Sequence, residues 1–204
     1  MAGTEKRLPQ PMRPSGLVGR IFGGLMARLN QDAYRWTVDQ FRSTRPKSLL
    51  EIGFGTGHLL VRAIRTLKLE RVAGVDPSQL MVETTTKHLH RFAGNTTLDI
   101  RLGDDTTLPD GPFDAVAALH SFQFWGDPDA ALARIRARLS PDGRFVLVLR
   151  MRAPKNAADW LPNPLSRTDN EIALACEALD RAGFRVIAIQ GISKSSQGIV
   201  AVSA

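Results

Sequence analysis

Leu49-Leu50-Glu51-Ile52-Gly53-Phe54-Gly55-Thr56-Gly57-His58 decides how the rest of this 204-residue chain is read. Leu49 to Ile52 is a mostly apolar run ending beside an acid, as expected for a strand buried in a sheet covered on both faces. Three glycines at alternate positions follow, and a helical pattern of apolar residues begins at Leu59. Glycine has no Cβ, so a turn built this way bends tightly and lets its backbone approach a ligand. The N–H groups opening the next helix favour polar or anionic ligand atoms. A nucleotide-like ligand is the first expectation.

The spacing narrows it. A dinucleotide fingerprint, G-x-G-x-x-G, would need its third glycine at His58. The chain instead carries E-x-G-x-G-x-G, from Glu51 through Gly53 and Gly55 to Gly57. A second short strand, Arg71 to Asp76, ends in a carboxylate nineteen positions after Gly57. A doubly wound fold places there the group that accepts hydrogen bonds from ribose hydroxyls. Pro77-Ser78 reads as a helix start, since proline is tolerated in the first turn. A third strand, Thr97 to Leu102, runs into Gly103-Asp104-Asp105, where aspartate serves equally as turn residue, helix cap or ligand. A fourth, Phe113 to Leu119, leads into His120-Ser121-Phe122-Gln123-Phe124-Trp125.

The pattern then continues in order. A helix is expected over Asp129 to Leu139, and Ser140-Pro141-Asp142-Gly143 reads as a turn. Strand Arg144 to Arg150, helix Asp169 to Ala182 and strand Phe184 to Gln190 follow. A last strand runs from Gly198 to Ser203. The short link Gly191 to Gln197 demands a hairpin, so that last strand runs antiparallel to its neighbour.

This ordered set resembles the class I methyltransferases that use S-adenosylmethionine (SAM), in their small-molecule, methyltransferase-11-like branch. The phrase Leu139-Ser140-Pro141-Asp142-Gly143-Arg144-Phe145 is similar to the family's Leu-x-Pro-Gly-Gly turn, with Asp142 replacing a glycine. The resemblance covers residues 46–204 and implies an α/β, Rossmann-like, doubly wound sheet of seven mostly parallel strands with an antiparallel last strand. It implies SAM as cofactor and S-adenosylhomocysteine (SAH) as product. By the same resemblance Gly53, Gly55 and Gly57 pass the methionyl part of SAM while Glu51 braces their loop. Asp76, followed by Pro77, takes the ribose, and Met81 packs on adenine, although plain core packing is the competing reading for a helix methionine. Asp104 takes the adenine amino group, and Asp105 supplies the next backbone N–H.

The loop after the fourth strand faces the sulfonium in this family. Phe122, Phe124 and Trp125 could flank a positive sulfur or line an acceptor pocket, or cover the sheet. His120 is the candidate catalytic residue, as a general base near neutral pH, against the reading of a pocket histidine that moves no proton. Tyr34, Trp36 and Trp160 complete the candidate substrate pocket. Methyl transfer is an in-line displacement in which the cofactor carries the reactive group.

Composition sets the remaining bounds. Residues 1–50 hold nine Lys/Arg against three acids, whereas the rest is nearly neutral, eighteen against seventeen. A basic segment suits nucleic acid or anionic membranes, but here the arginines are dispersed. Leu17, Val18, Ile21, Phe22, Leu25, Met26 and Leu29 form one helical stripe, and Tyr34, Trp36, Val38 and Phe41 continue in a second. Residues 16–45 therefore read as an N-terminal helical lid, made mobile by Gly19, Gly23 and Gly24. Residues 1–15 read as a disordered tail. No apolar run suits a membrane span and no secretory leader opens the chain, and Cys176, the single cysteine, suits a reducing cytoplasm. No metal site is expected, because His88 and His90 lie on different helix faces. The Asn/Asp-Pro-Pro-aromatic motif of base-modifying enzymes is absent after the fourth strand, which disfavours nucleic acid. The expected acceptor is a small molecule, in natural-product or metabolite tailoring, handled by a monomer or homodimer. An NAD(P)-dependent oxidoreductase and a catalytically silent SAM-fold partner subunit are the alternatives.

Overall fold

The computed structural model describes residues 29–151 and 169–204. The tail, the first helix of the expected lid and Trp160 lie outside the described residues. Seven strands form one sheet: β1 (Ser48–Ile52), β2 (Arg71–Asp76), β3 (Thr97–Leu102), β4 (Phe113–Leu119), β5 (Leu139–Arg150), β6 (Phe184–Ser193) and β7 (Ser196–Ser203). Their order is β3-β2-β1-β4-β5-β7-β6, and β7 runs antiparallel to both of its neighbours. The expected sheet is thus observed, with longer final strands joined through Lys194 and Ser195 alone.

Five described helices cover the sheet: α1 (Gln31–Arg42), α2 (His58–Thr66), α3 (Gln79–Leu89), α4 (Pro128–Arg138) and α5 (Asp169–Arg181). One face packs Val38 and Phe41 of α1, Leu59 and Leu60 of α2 and Met81 and Leu89 of α3 against the sheet. The other packs Leu132 and Ile135 of α4 and Leu179 of α5. Central strands are consequently dry on both sides. Leu49, Val72, Val116 and Leu147 are fully buried, which explains why their stretches read as continuous apolar runs rather than alternating ones.

Several boundaries differ from the sequence reading. α3 starts at Gln79, so Pro77 precedes the helix rather than opening it. α4 begins one residue early, with Asp127 capping it by accepting the Ala130 N–H at 3.0 Å. The Pro141-Asp142-Gly143 turn lies within β5: Leu139 pairs with Phe113 and Arg144 with Ala115, so the intervening residues bulge out of the ladder. α1 is a packed helix whose Phe41 is fully buried, and its Trp36 ring rests on Gly198 of β7.

The amino ends of three strands are tied by one carboxylate. Asp114 Oδ2 accepts from the Lys47 N–H at 2.8 Å, the Ser48 N–H at 3.1 Å and Ser48 Oγ at 3.1 Å, while Oδ1 accepts from Ser140 Oγ at 3.1 Å. Removing the acceptor strands donors on β1 and β5 together. Asp114→Ala is expected to lower unfolding stability by about 2–4 kcal/mol in urea titrations, well beyond an ordinary surface substitution.

Candidate active site

The glycine turn sits where strand order reverses, between β1 and β4, the crevice in which open α/β sheets hold ligands. Gly53, Gly55 and Gly57 have φ of +77°, +51° and +71°, a region that disfavours side chains. Their roles nevertheless diverge. A Cβ on Gly53 would lie 2.7 Å from Ser121 Cβ, and one on Gly57 would strike the Thr85 methyl. At Gly55 a Cβ would meet no protein atom within 4 Å. Two of the glycines let the protein close on itself, and only Gly55 presents bare backbone outward.

Neighbouring loops hold this shape. Ser121 Oγ donates to the Ile52 carbonyl at 2.9 Å, and Thr85 Oγ1 donates to the Gly55 carbonyl at 2.9 Å. Asp76 is nearly buried; its Oδ2 accepts the Gly55 N–H at 2.8 Å and its Oδ1 the Ser78 N–H at 2.9 Å. Burial pushes its pKa up to about 6, with the two backbone bonds pulling against the rise. Glu51 is buried beside it, and Oε2 has no hydrogen-bond partner. Burial, with Asp76 nearby, raises its pKa well above the usual range. The carboxylate that accepts the loop's Gly55 N–H is that of Asp76.

The adenine-side residues behave differently from one another. Asp104 is exposed and shapes its own turn, accepting the Thr106 N–H at 2.9 Å and Thr106 Oγ1 at 2.6 Å. Asp105 is buried, and its carboxylate pairs with Arg134 of α4 at 2.6 Å. That pair makes Asp105 an anchor between loop and helix. Met81 is core, 2% exposed among the α1–α3 apolar residues.

On the β4–β5 side, His120 has φ +56° and donates its N–H to the Val148 carbonyl at 2.8 Å. Both ring nitrogens are buried without hydrogen-bond partners. Burial and the charge of Arg150 lower its pKa to about 3. Arg150, the last residue of β5, is itself substantially buried and donates from Nη2 to Asn30 Oδ1 at 3.3 Å. Tyr34 of α1 faces Glu51 and Arg150, hydrogen-bonds Asn30 and stacks on His58 at 6.1 Å; burial, with Glu51, pushes its pKa up to about 12. Sequence reasoning missed Arg150. The available signal was a charged residue ending an apolar strand on the carboxyl side of the sheet.

The aromatics divide. Phe122 and Trp125 are buried in the core under α4, paired edge to face at 5.1 Å, and so cover the sheet. Phe124 stays half-buried. Trp36 leaves the expected pocket: its Nε1 donates to Gln190 Oε1 at 3.0 Å while its ring fills the space over Gly198. The structure thus gathers Tyr34, Glu51, Gly55, Asp76, His120 and Arg150 around one mouth. Among the described residues no group of three or more His, Cys, Asp or Glu could hold a metal. No described helix is long and apolar enough to cross a membrane.

Residues 50–145 match a family model described as a methyltransferase domain. The chain is 28% identical over 174 residues to the uncharacterized methyltransferase YdaC of Bacillus subtilis, covering 83% of this chain and 89% of that one. Among solved structures it is similar to the mitomycin 7-O-methyltransferase MmcR (TM-score 0.72, 20% identity, 91% of this chain and 57% of that chain). It is also similar to the Burkholderia thailandensis 1,6-didemethyltoxoflavin-N1-methyltransferase with bound 1,6-didemethyltoxoflavin and SAH (TM-score 0.68, 18% identity, 90% and 83%). The bare Gly55 backbone, with a carboxylate at the next strand end, fits the cofactor named there.

The raised Asp76 pKa has a sign that can be measured. Between about pH 4 and 6 the folded carboxyl keeps a proton that the unfolded chain has released, so this group's contribution lowers stability as pH rises. Its full size is about 3 kcal/mol. Urea titrations of Asp76→Asn should therefore gain on the parent by that order between pH 4 and 7. A difference independent of pH would contradict it.

Proposed function

For this class I SAM-dependent methyltransferase, we propose that the methyl group goes to a small-molecule acceptor held over the β4–β5 edge, with release of SAH, as a metabolite or natural-product tailoring step. Bound SAM supplies an electrophilic methyl on a sulfonium. The chain's own residues then have separable tasks. Gly55 offers backbone to the methionyl part, Asp76 takes the ribose beside the loop it ties, and Asp104 lies at the adenine end. Supporting this reading above all is the outward-facing backbone of Gly55, the one position of the loop at which a side chain would enter ligand space rather than protein.

A small acceptor is supported by the position of Tyr34 of α1 and Asn30 at its N-cap, which lie beside Glu51 and Arg150. The named substrates of the two structural neighbours, mitomycin and 1,6-didemethyltoxoflavin, point the same way. Of Phe122, Phe124 and Trp125, half-buried Phe124 is the one free of the core to line the pocket beside Tyr34.

His120 acts in this reading as a positioning group rather than a base. With a pKa of about 3, holding a proton at pH 7 would cost it roughly 5 kcal/mol, which offsets even the largest, 10⁴-fold, contribution of a general base. The neutral ring instead orients the acceptor through hydrogen bonds, while the positioning itself lowers the barrier.

Gly55→Val should weaken SAH binding more than tenfold by calorimetry, because it adds both αL strain and a side chain in the cofactor's path. Normal binding by that variant would reduce the turn to structural punctuation. Transfer from methyl-labelled SAM into a metabolite pool, followed by product mass, tests the activity itself. No incorporation, with SAH still bound, would favour a silent SAM-fold module. Once an acceptor is known, kcat should show no histidine-type limb near pH 6.5.

A further inference from the structure

We infer that the acceptor reacts through an acidic oxygen, such as a carboxylate, enolate or phenolate, received by Arg150 and His120 beneath Tyr34. This deepens the methyltransferase reading and rests on it. The first support is position. The loop at Gly55 tops β1, Asp76 tops β2 and Asp104 follows β3, so the adenosine end of the cofactor points along the β1-β2-β3 half of the sheet. The opposite half, β4 and β5, is left for the methyl end and whatever attacks it. Arg150 ends β5, two strands or about 10 Å from β1, and therefore stands on the acceptor side of His120.

The second support is the unpartnered imidazole. Neither His120 ring nitrogen has a hydrogen-bond partner, although both are buried. Buried polar atoms of native proteins are almost always satisfied, which marks His120 as a ligand contact. Its backbone is fixed on both sides, by its own N–H to Val148 and by the Ser121 hydroxyl to Ile52. A neutral ring offers one N–H donor and one acceptor. A guanidinium beside it adds donors in a planar fork suited to carboxylate and other anionic oxygens.

The third support is that, among the described residues, the groups on the acceptor side of that mouth are poor proton acceptors. Burial and Arg150 keep the imidazole from taking a proton, and Tyr34 is a phenol whose pKa burial raises to about 12. Asp76 is committed to two backbone N–H groups on the far side of the loop. An alcohol would have to give up its proton to one of these groups during the transfer. An acidic oxygen loses its proton to water before binding. Its lone pair then forms the bond to the methyl carbon as the carbon–sulfur pair withdraws to sulfur. Anion and sulfonium both become neutral, and no proton remains to be placed.

The test uses the full chain saturated with SAH and calorimetry against a panel of small carboxylic acids and phenols, from benzoate and 4-hydroxybenzoate upward. Each is paired with its neutral amide or methyl ether. Members that are ionised at the working pH should bind at least tenfold more tightly than their neutral partners. Arg150→Gln should erase that preference and Arg150→Lys retain part of it, with SAH affinity within twofold of the parent and unchanged melting temperature. Equal or absent binding across all pairs overturns the inference, as does a preference surviving in Arg150→Gln. A tenfold loss of SAH affinity in Arg150→Gln also overturns it, by assigning the guanidinium to the cofactor's own carboxylate. Failure of the parent to bind SAH at all would instead remove the methyltransferase reading beneath it.

Discussion

The Asp76 carboxylate is placed between two backbone N–H groups, Gly55 in the turn after β1 and Ser78 ahead of α3. This one side chain couples the loops above two neighbouring strands and fixes the direction in which the Gly55 backbone points. It does so from a buried position that also houses Glu51, and the two carboxyls raise the energetic cost of charge there. A geometry maintained against that cost is a preorganised one. The acid proposed to take the ribose is also the latch of the glycine loop, so the proposed cofactor contact and the loop shape depend on the same two oxygens.

Close approach does the rest. Gly53 admits Ser121, Gly57 admits Thr85, and Gly198 admits the Trp36 ring, each through the absence of a Cβ. These contacts knit β1 to the loop after β4, α2 to α3, and α1 to β7. Among the described residues the site's walls are therefore packed against one another, which is how small residues far apart in sequence set the position of the groups at the site. α1 belongs to this wall, with Phe41 in the core and Asn30 and Tyr34 at the mouth.

Much of this was legible in the sequence, and the failures have physical causes. β1, β2 and β4 could be read because both faces of the sheet are covered there, giving short apolar runs that end abruptly at polar residues. The start of β5 could not, because Pro141 to Gly143 is chemically a turn and only the ladder shows it as a bulge between Phe113 and Arg144. Tyr34 and Trp36 were expected in one pocket, yet residues two apart on a helix differ by about 200° and must part. Phe122 and Trp125 bracket one turn of 3₁₀-helix, which sends both rings to the core side. Asp104 and Asp105 look equivalent in sequence, and only Arg134, twenty-nine positions beyond Asp105, separates anchor from turn. Arg150 escaped because its meaning comes from Tyr34 and His120, contributed by two other elements.

The central claim is a single cofactor site across the carboxyl ends of β1, β2 and β4, latched by Asp76. Amide hydrogen exchange of the full chain with and without SAH tests it most directly. The claim predicts slowed exchange in the segments around Gly53–His58, Asp76–Leu80 and Leu119–Phe124, with β6 and the amino ends of the strands unchanged. Protection elsewhere, or none in the glycine turn under saturating SAH, would contradict it.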